Sequence, residues 1–224
     1  MKPSPAPIPT DYKRLVQTRK ACRLCPKLLN PADSSHAEFD GDEVGPWSRW
    51  LAGRPAKILI VGQDWGTFTY YREHEGRDTP DNLTNRRLVM LLRELGFQVP
   101  EVSEHTERST PVFLTNAILC LKPGDTMSAA VKSGWFDACG PMLKATVAAV
   151  GAKNVICLGA RAYTSIAAAF NCQPLTFRAA VDLAKPLPLT EGVSAFAVFH
   201  PAARPVNRTW EQQKEDWRRL RAFL

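Results

Sequence analysis

Three polar side chains stand where apolar runs end or turn polar. Asp64 follows KILIVGQ (57–63), Asn116 lies inside VFLTNAILCL (112–121), and His200 closes SAFAVFH (194–200) just before Pro201. These residue types together suit a hydrolysis. A carboxylate can orient and deprotonate water, and an imidazole can stabilise charge that develops on a leaving group. An amide offers a donor and an acceptor side by side, so it can read a polar ligand edge. Each residue also has a structural reading. Asp64 can cap a turn, Asn116 can be a satisfied core amide, and His200 can be an ordinary strand-end histidine. Three polar groups converging on one rim weigh against those readings, because that convergence marks a binding cleft.

The elements that must position them alternate. The β-branched run 57–63 reads as a buried parallel strand, and so do 112–121, NVICLG (154–159) and 194–200. Helical spacing fills the gaps. One segment occupies 11–30 and ends in Cys22-Arg23-Leu24-Cys25-Pro26. LTNRRLVMLLRELGF (83–97) stops at Gly96. Another helix runs from about 127 to 150 with Gly140-Pro141 as a candidate break, followed by ARAYTSIAAAF (160–170) and the Thr-capped TWEQQKEDWRRLRAF (209–223). The stretches 31–56 and 64–82 read as loops, and the proline-punctuated 171–193 is left without an element. Strands alternating with helices imply an α/β fold: three layers, α/β/α, around a central four-stranded, mainly parallel sheet. Ligands of such sheets bind beyond the carboxyl ends of the strands, where Asp64, Asn116 and His200 stand. The third strand delivers Gly159-Ala160-Arg161, a helix start able to hold an anion. Residues 1–10, MKPSPAPIPT, are expected to be a flexible leader and 11–224 a single domain.

Composition narrows the partners. The 224 residues carry 29 Lys and Arg against 22 Asp and Glu, a net +7, which favours polyanions. Hydrophobic residues make up 45% and charged ones 23%, a balance that excludes disorder along the whole length. No run approaches the ~18 apolar residues of a membrane span, and the first ten residues lack the apolar centre of a signal peptide. A cytoplasmic location without a membrane partner is therefore expected. Six cysteines in a reducing compartment are read as metal ligands or buried thiols rather than as disulfides.

GQDWG (62–66), VFLTNAIL (112–119) and HPAAR (200–204) resemble, in order, the three signature segments of the uracil-DNA glycosylase superfamily. The resemblance runs from about Ala21 to the C-terminus and is strongest at these segments. It implies a DNA-repair hydrolase of the base excision type, acting as a monomer on DNA that carries uracil or another deaminated base. Asp64 then matches the water-activating aspartate, Asn116 the asparagine that reads the uracil edge, and His200 the histidine that hydrogen-bonds uracil O2. Gly62 and Gln63 contribute to the substrate site, Phe68 or Tyr70 stacks on the base, and Arg204 and Arg208 belong to the loop that enters the minor groove.

The cysteines carry a second resemblance. Cys22 and Cys25 form a C-x-x-C, Cys120 follows the asparagine strand, and Cys139 lies on the next helix. This layout is similar to the iron–sulphur branch of the superfamily and implies a [4Fe–4S] cluster on those four thiolates. Ligand type alone also allows zinc. Cys157 and Cys172 are read as ordinary thiols. The first motif departs from both branches. GQDWG joins the aspartate of the prototypical GQDPY to the final glycine of the iron–sulphur GEAPG, with Trp65 in place of proline. Gly66 replaces the tyrosine that excludes thymine in prototypical members, so the base range is left open. A non-catalytic member that binds DNA or lesions, with the cluster kept for structure, is the alternative reading.

Overall fold

The computed structural model describes residues 11–44, 55–79, 82–99, 110–124 and 131–224. The leader expected at 1–10, the middle of the loop expected over 31–56 and the first residues of the helix expected from about 127 lie outside the described residues.

Five strands form one sheet: β1 (Ile58–Asp64), β2 (Val112–Ile118), β3 (Asn154–Leu158), β4 (Leu187–Thr190) and β5 (Val193–Val198), in the order β2-β1-β3-β5-β4. The pairs β1–β2, β1–β3 and β3–β5 are parallel, and β4 runs antiparallel to β5. The α/β class holds, but the expected four strands become five. The added strand, LPLT, comes from 171–193, the stretch left without an element. It has four residues, includes Pro188 and alternates buried with exposed. Four residues are too few for a clear period, and proline is tolerated only at a sheet edge.

Side-chain parity divides the core. Leu59, Val61, Phe113, Val155, Cys157, Ala195 and Ala197 face α1 (Tyr12–Ala21), α4 (Ser133–Val150), α5 (Ala160–Ala169) and α6 (Phe177–Leu183). Ile58, Ile60, Val112, Ile156, Leu158, Phe196 and Val198 face α3 (Leu83–Glu94) and α7 (Trp210–Leu220). Ile58 to Val61 are all fully buried. A slip of one residue in β1 would exchange its two faces and undo burial worth about 1.5–3 kcal/mol per side chain. That penalty fixes the register, and the register fixes where the end of β1 delivers its polar residues.

The loop expected over 64–82 contains a short helix, α2 (Phe68–Glu73), whose N-cap Thr67 accepts from Tyr70 N–H at 3.3 Å. The candidate break at Gly140-Pro141 does not interrupt α4, which runs from Ser133 to Val150. Pro141 and Asp137 both lie on the exposed side of α4, so the carbonyl that loses its donor meets water. No helix among the described residues is long and apolar enough to cross a membrane.

Candidate active site

One cavity of about 470 Å³ opens at the carboxyl ends of the parallel strands. Gly62, Gln63 and Asp64 of β1, Asn116 of β2, the Gly159–Arg161 turn after β3 and His200 after β5 all line it. The chain runs from β1 to β2 on one side and then crosses to β3 on the other, so the cavity sits where the sheet changes direction. Positions 60, 62 and 64, 114 and 116, and 198 and 200 share the parity of the α3/α7 face, which brings the polar residues to one side.

The Asp64 carboxylate is held at both oxygens. Lys122 Nζ lies 3.0 Å from Oδ1, with the two side chains 4% and 7% exposed, and Gln63 Nε2 donates to Oδ2 at 2.7 Å. Removing one partner from such a buried pair would leave a lone charge, at a cost of about 3–5 kcal/mol. Asp64 therefore belongs to the site and is no solvent-facing turn cap.

Asn116 is buried beside Gly62, its register partner. A Cβ on Gly62 would sit 2.2 Å from Asn116 Oδ1, so only glycine leaves room for the amide. The amide makes no side-chain hydrogen bond among the described residues. It lines the cavity, where a ligand can take up both its donor and its acceptor.

His200 Nδ1 accepts from Ala202 N–H at 3.2 Å. In the neutral ring the proton then resides on Nε2, which becomes a donor. Burial pushes the His200 pKa below 6.5, and the nearby Asp64 charge offsets part of that shift. The ring is thus neutral at pH 7 and able to donate one hydrogen bond.

Two helix N-termini complete the walls. Gly159, at φ +90°, donates to Val198 O at 2.8 Å and opens α5 without a side-chain cap, so first-turn N–H groups face the cavity rim. Asn82, Thr84 and Asn85 bring the start of α3 to the opposite side. Asn85 is 6% exposed, and its Nδ2 has no acceptor among the described residues. The aromatic wall is Trp65. Phe68 and Tyr70, expected to stack on a base, do not line the cavity. Phe68 stacks on His36 and Tyr71, and Tyr70 sets its ring edge-on to Trp65 at 5.6 Å. Both back the wall instead of forming it. Lys122, Asn85 and Trp65 escaped the sequence reading as site residues. The only signal was local, an aromatic directly after Asp64.

The loop after His200 is pinned at its base and projects at its tip. Ala203 N–H donates to His200 O at 2.7 Å, and Arg87 Nη1 donates to Pro201 O at 2.9 Å. Arg204 is exposed and Val206 is 88% exposed. Arg208, grouped with Arg204 as a DNA contact, is placed differently. Its guanidinium pairs with Asp216 and with Asp182 at 3.0 Å and lies over Phe199, with its side chain 10% exposed. It braces the loop against α6 and α7.

Cys22, Cys25, Cys120 and Cys139 line a second cavity, of about 290 Å³. Three local devices bring them together. Asn30 Nδ2 donates to the carbonyls of Arg19, Lys20 and Cys22 at the end of α1, an antiparallel bridge pairs Leu29 with Leu121, and α4 supplies Cys139. Burial, followed by the charge of the neighbouring cysteines, pushes the Cys120 thiol up to about 12. Burial likewise raises Cys139 to about 11, and Cys25 also shifts upward. Among the described residues no group of three or more His, Cys, Asp or Glu is gathered tightly enough around one point to hold a metal ion. Cys157 is buried inside β3 and Cys172 lies apart from this cavity.

The sequence model of the family described as "Uracil DNA glycosylase superfamily" matches residues 52–223. The matched range includes every residue of the strand-end cavity together with Cys120 and Cys139, and begins beyond Cys22 and Cys25. No curated protein matches the chain.

Proposed function

Since the chain belongs to the uracil DNA glycosylase superfamily, we propose that it is a monofunctional DNA-repair glycosylase that hydrolyses the bond between deoxyribose and uracil, or another deaminated base, and leaves an abasic site. The observation that carries this reading is the convergence of Asp64, Asn116 and His200 on one strand-end cavity.

The base must leave the duplex stack to enter the cavity, at a cost of a few kcal/mol. Trp65 supplies an apolar wall for it, and Asn116 pairs with its polar edge. Cytosine presents the reverse pattern of donors and acceptors, and a mismatch leaves polar groups unpaired at about 1–3 kcal/mol. As the C1′–N bond breaks, its electron pair goes to the base and spreads onto the carbonyl oxygen. Nε2–H of neutral His200 donates to that oxygen, and the N-termini of α3 and α5 favour the same negative charge. Water held by Asp64 adds to C1′, and its proton passes to the carboxylate. Outside the cavity, Arg204 binds phosphate, and the exposed Val206 fills the gap left by the flipped base.

The four cysteines are assigned to a [4Fe–4S] cluster. What supports this assignment is that the four cysteines line one cavity; thiolate ligands alone also allow zinc. Such a cluster supplies a cross-link between α1, β2 and α4 and a redox-active group. Cys22, Cys25, Cys120 and Cys139 would hold it, and no step of the hydrolysis passes through it.

One observation favours the second reading, a member that binds lesions without cutting. Both oxygens of Asp64 are already engaged, by Lys122 and Gln63. The deciding assay measures alkali-labile sites in single- and double-stranded DNA carrying uracil, hypoxanthine, xanthine or thymine. Release of a deaminated base by the wild type, with strong loss in Asp64→Asn and His200→Ala, is the expected result. Tight binding without any release would leave only the lesion-binding reading.

A further inference from the structure

The geometry points to Lys122 as the positioning residue of the reacting carboxylate, an inference that rests on the glycosylase reading above. Lys122 grips the Asp64 segment at three places. Its Nζ lies 3.0 Å from Asp64 Oδ1, its N–H donates to Gly66 O at 2.8 Å, and its carbonyl accepts from Phe68 N–H at 3.1 Å. A parallel bridge between Thr67 and Lys122 belongs to the same contact. Residues 64–68 and the end of the β2 segment are thereby tied together at the point where the water must be held.

Lys122 does not line the cavity and is 3% exposed. Its ammonium therefore reaches the cavity through the Asp64 carboxylate it holds. With Lys122 on Oδ1 and Gln63 on Oδ2, the plane of the carboxylate cannot rotate. Each carboxylate oxygen still has a second lone-pair direction, which leaves room for one water on the cavity side. The ammonium also gives the buried carboxylate an opposite charge at contact distance. This arrangement has a mechanistic consequence. A carboxylate already neutralised by a cation attracts the developing sugar cation less, so Asp64 contributes mainly by orienting water. Charge stabilisation then falls more heavily on the leaving-group side, on His200 and the two helix N-termini.

The test compares single-turnover release of uracil by wild type, Lys122→Met, Asp64→Asn and the double variant, with folding followed by circular dichroism. If Lys122 acts through Asp64, Lys122→Met lowers the rate on the order of 10²-fold, the size of effect that a misplaced reacting group produces. The KM for DNA moves by less than about threefold, because the lost interaction acts at the transition state. The double variant is then no slower than Asp64→Asn alone, within about twofold. Losses that multiply in the double variant, or a Lys122→Met protein at wild-type rate, overturn the inference. If methionine yields too little folded protein, Lys122→Gln takes its place in the same cycle, and the double variant keeps no lone buried charge. A wild type that releases no base fails the glycosylase reading itself, whereas an active wild type with an unaffected Lys122 variant fails only the role of Lys122.

Discussion

His200 can donate from one ring nitrogen because the other is occupied. Ala202 N–H holds Nδ1, and burial keeps the ring neutral to a pH below 6.5. Protonation in acid would place a hydrogen on Nδ1 and break the turn that aims the ring. The sign follows directly. The stability gained from a neutral His200 is complete above 6.5 and lost as pH falls through the lowered folded value. Base release should therefore hold its neutral-pH rate down to 6.5 as far as His200 governs it, with the His200 limb below that pH. His200→Gln keeps a donor that does not titrate, so its profile should lack this limb, while His200→Ala should lose roughly 10²–10³-fold in rate. A limb centred above 6.5 that vanishes in His200→Gln would contradict the assignment. Gly62 offers a second test at the same scale. The methyl of Gly62→Ala would lie 2.2 Å from Asn116 Oδ1 and must drive the amide out of the site. Gly62→Ala should match Asn116→Ala in lost uracil release, and a wild-type rate would show that the amide is not needed where it stands.

At the scale of elements, the strands that carry the site were legible because each is a short, largely apolar run, with Asp64 and His200 closing two of them and Asn116 set inside a third. Ile58–Val61 and Val155–Leu158 are buried throughout, so the pattern matched the packing. β4 was not legible, because its four residues hold a proline and depend on β5 for their hydrogen bonds. The partnership of Lys122 with Asp64 was hidden for a different reason. The two residues are 58 positions apart in sequence, and only the β1–β2 pairing brings them together. Arg208 illustrates the limit from the other side. Its position suggested a DNA contact, but Asp182 on α6 and Asp216 on α7, neither adjacent in sequence, claim its charge. The loop between β5 and α7 supplies this scale's prediction. Its base is tied down, and Val206 at its tip is 88% exposed. A wedge matters only when there is a stack to hold open. Val206→Ala should slow release from double-stranded DNA about tenfold, the effect of losing roughly 1.4 kcal/mol, and leave single-stranded DNA within twofold, about 0.4 kcal/mol. Equal losses on both substrates would remove the wedge role.

Across the whole molecule, the thiol cavity and the strand-end cavity share one stretch of backbone. Cys120 lines the first, Lys122 grips the carboxylate of the second, and Leu121 between them pairs with Leu29 from the Cys25 segment. Burial raises the Cys120 and Cys139 thiols above their usual pKa, and the junction of α1 with β2 and α4 there rests on the Asn30 hydrogen bonds, the Leu29–Leu121 bridge and packing. A centre bound by the four thiolates would add a cross-link to that junction, and its binding energy would become folding energy. Protein purified without oxygen should therefore carry iron, as read by metal analysis. Removing the metal should lower Tm by roughly 5–10 °C, since each kcal/mol shifts a chain of this size by about 2–4 °C. Cys120→Ala and Cys139→Ala should reproduce that loss, and Cys172→Ala, outside the cavity, should not. Because Lys122 lies two residues from Cys120 and holds Asp64, metal loss should also slow base release in the wild type more than it weakens binding of DNA. Zinc found in place of iron would preserve the cross-link and overturn the cluster, whereas an unchanged Tm after complete metal removal would show that the four thiols hold no structural centre at all.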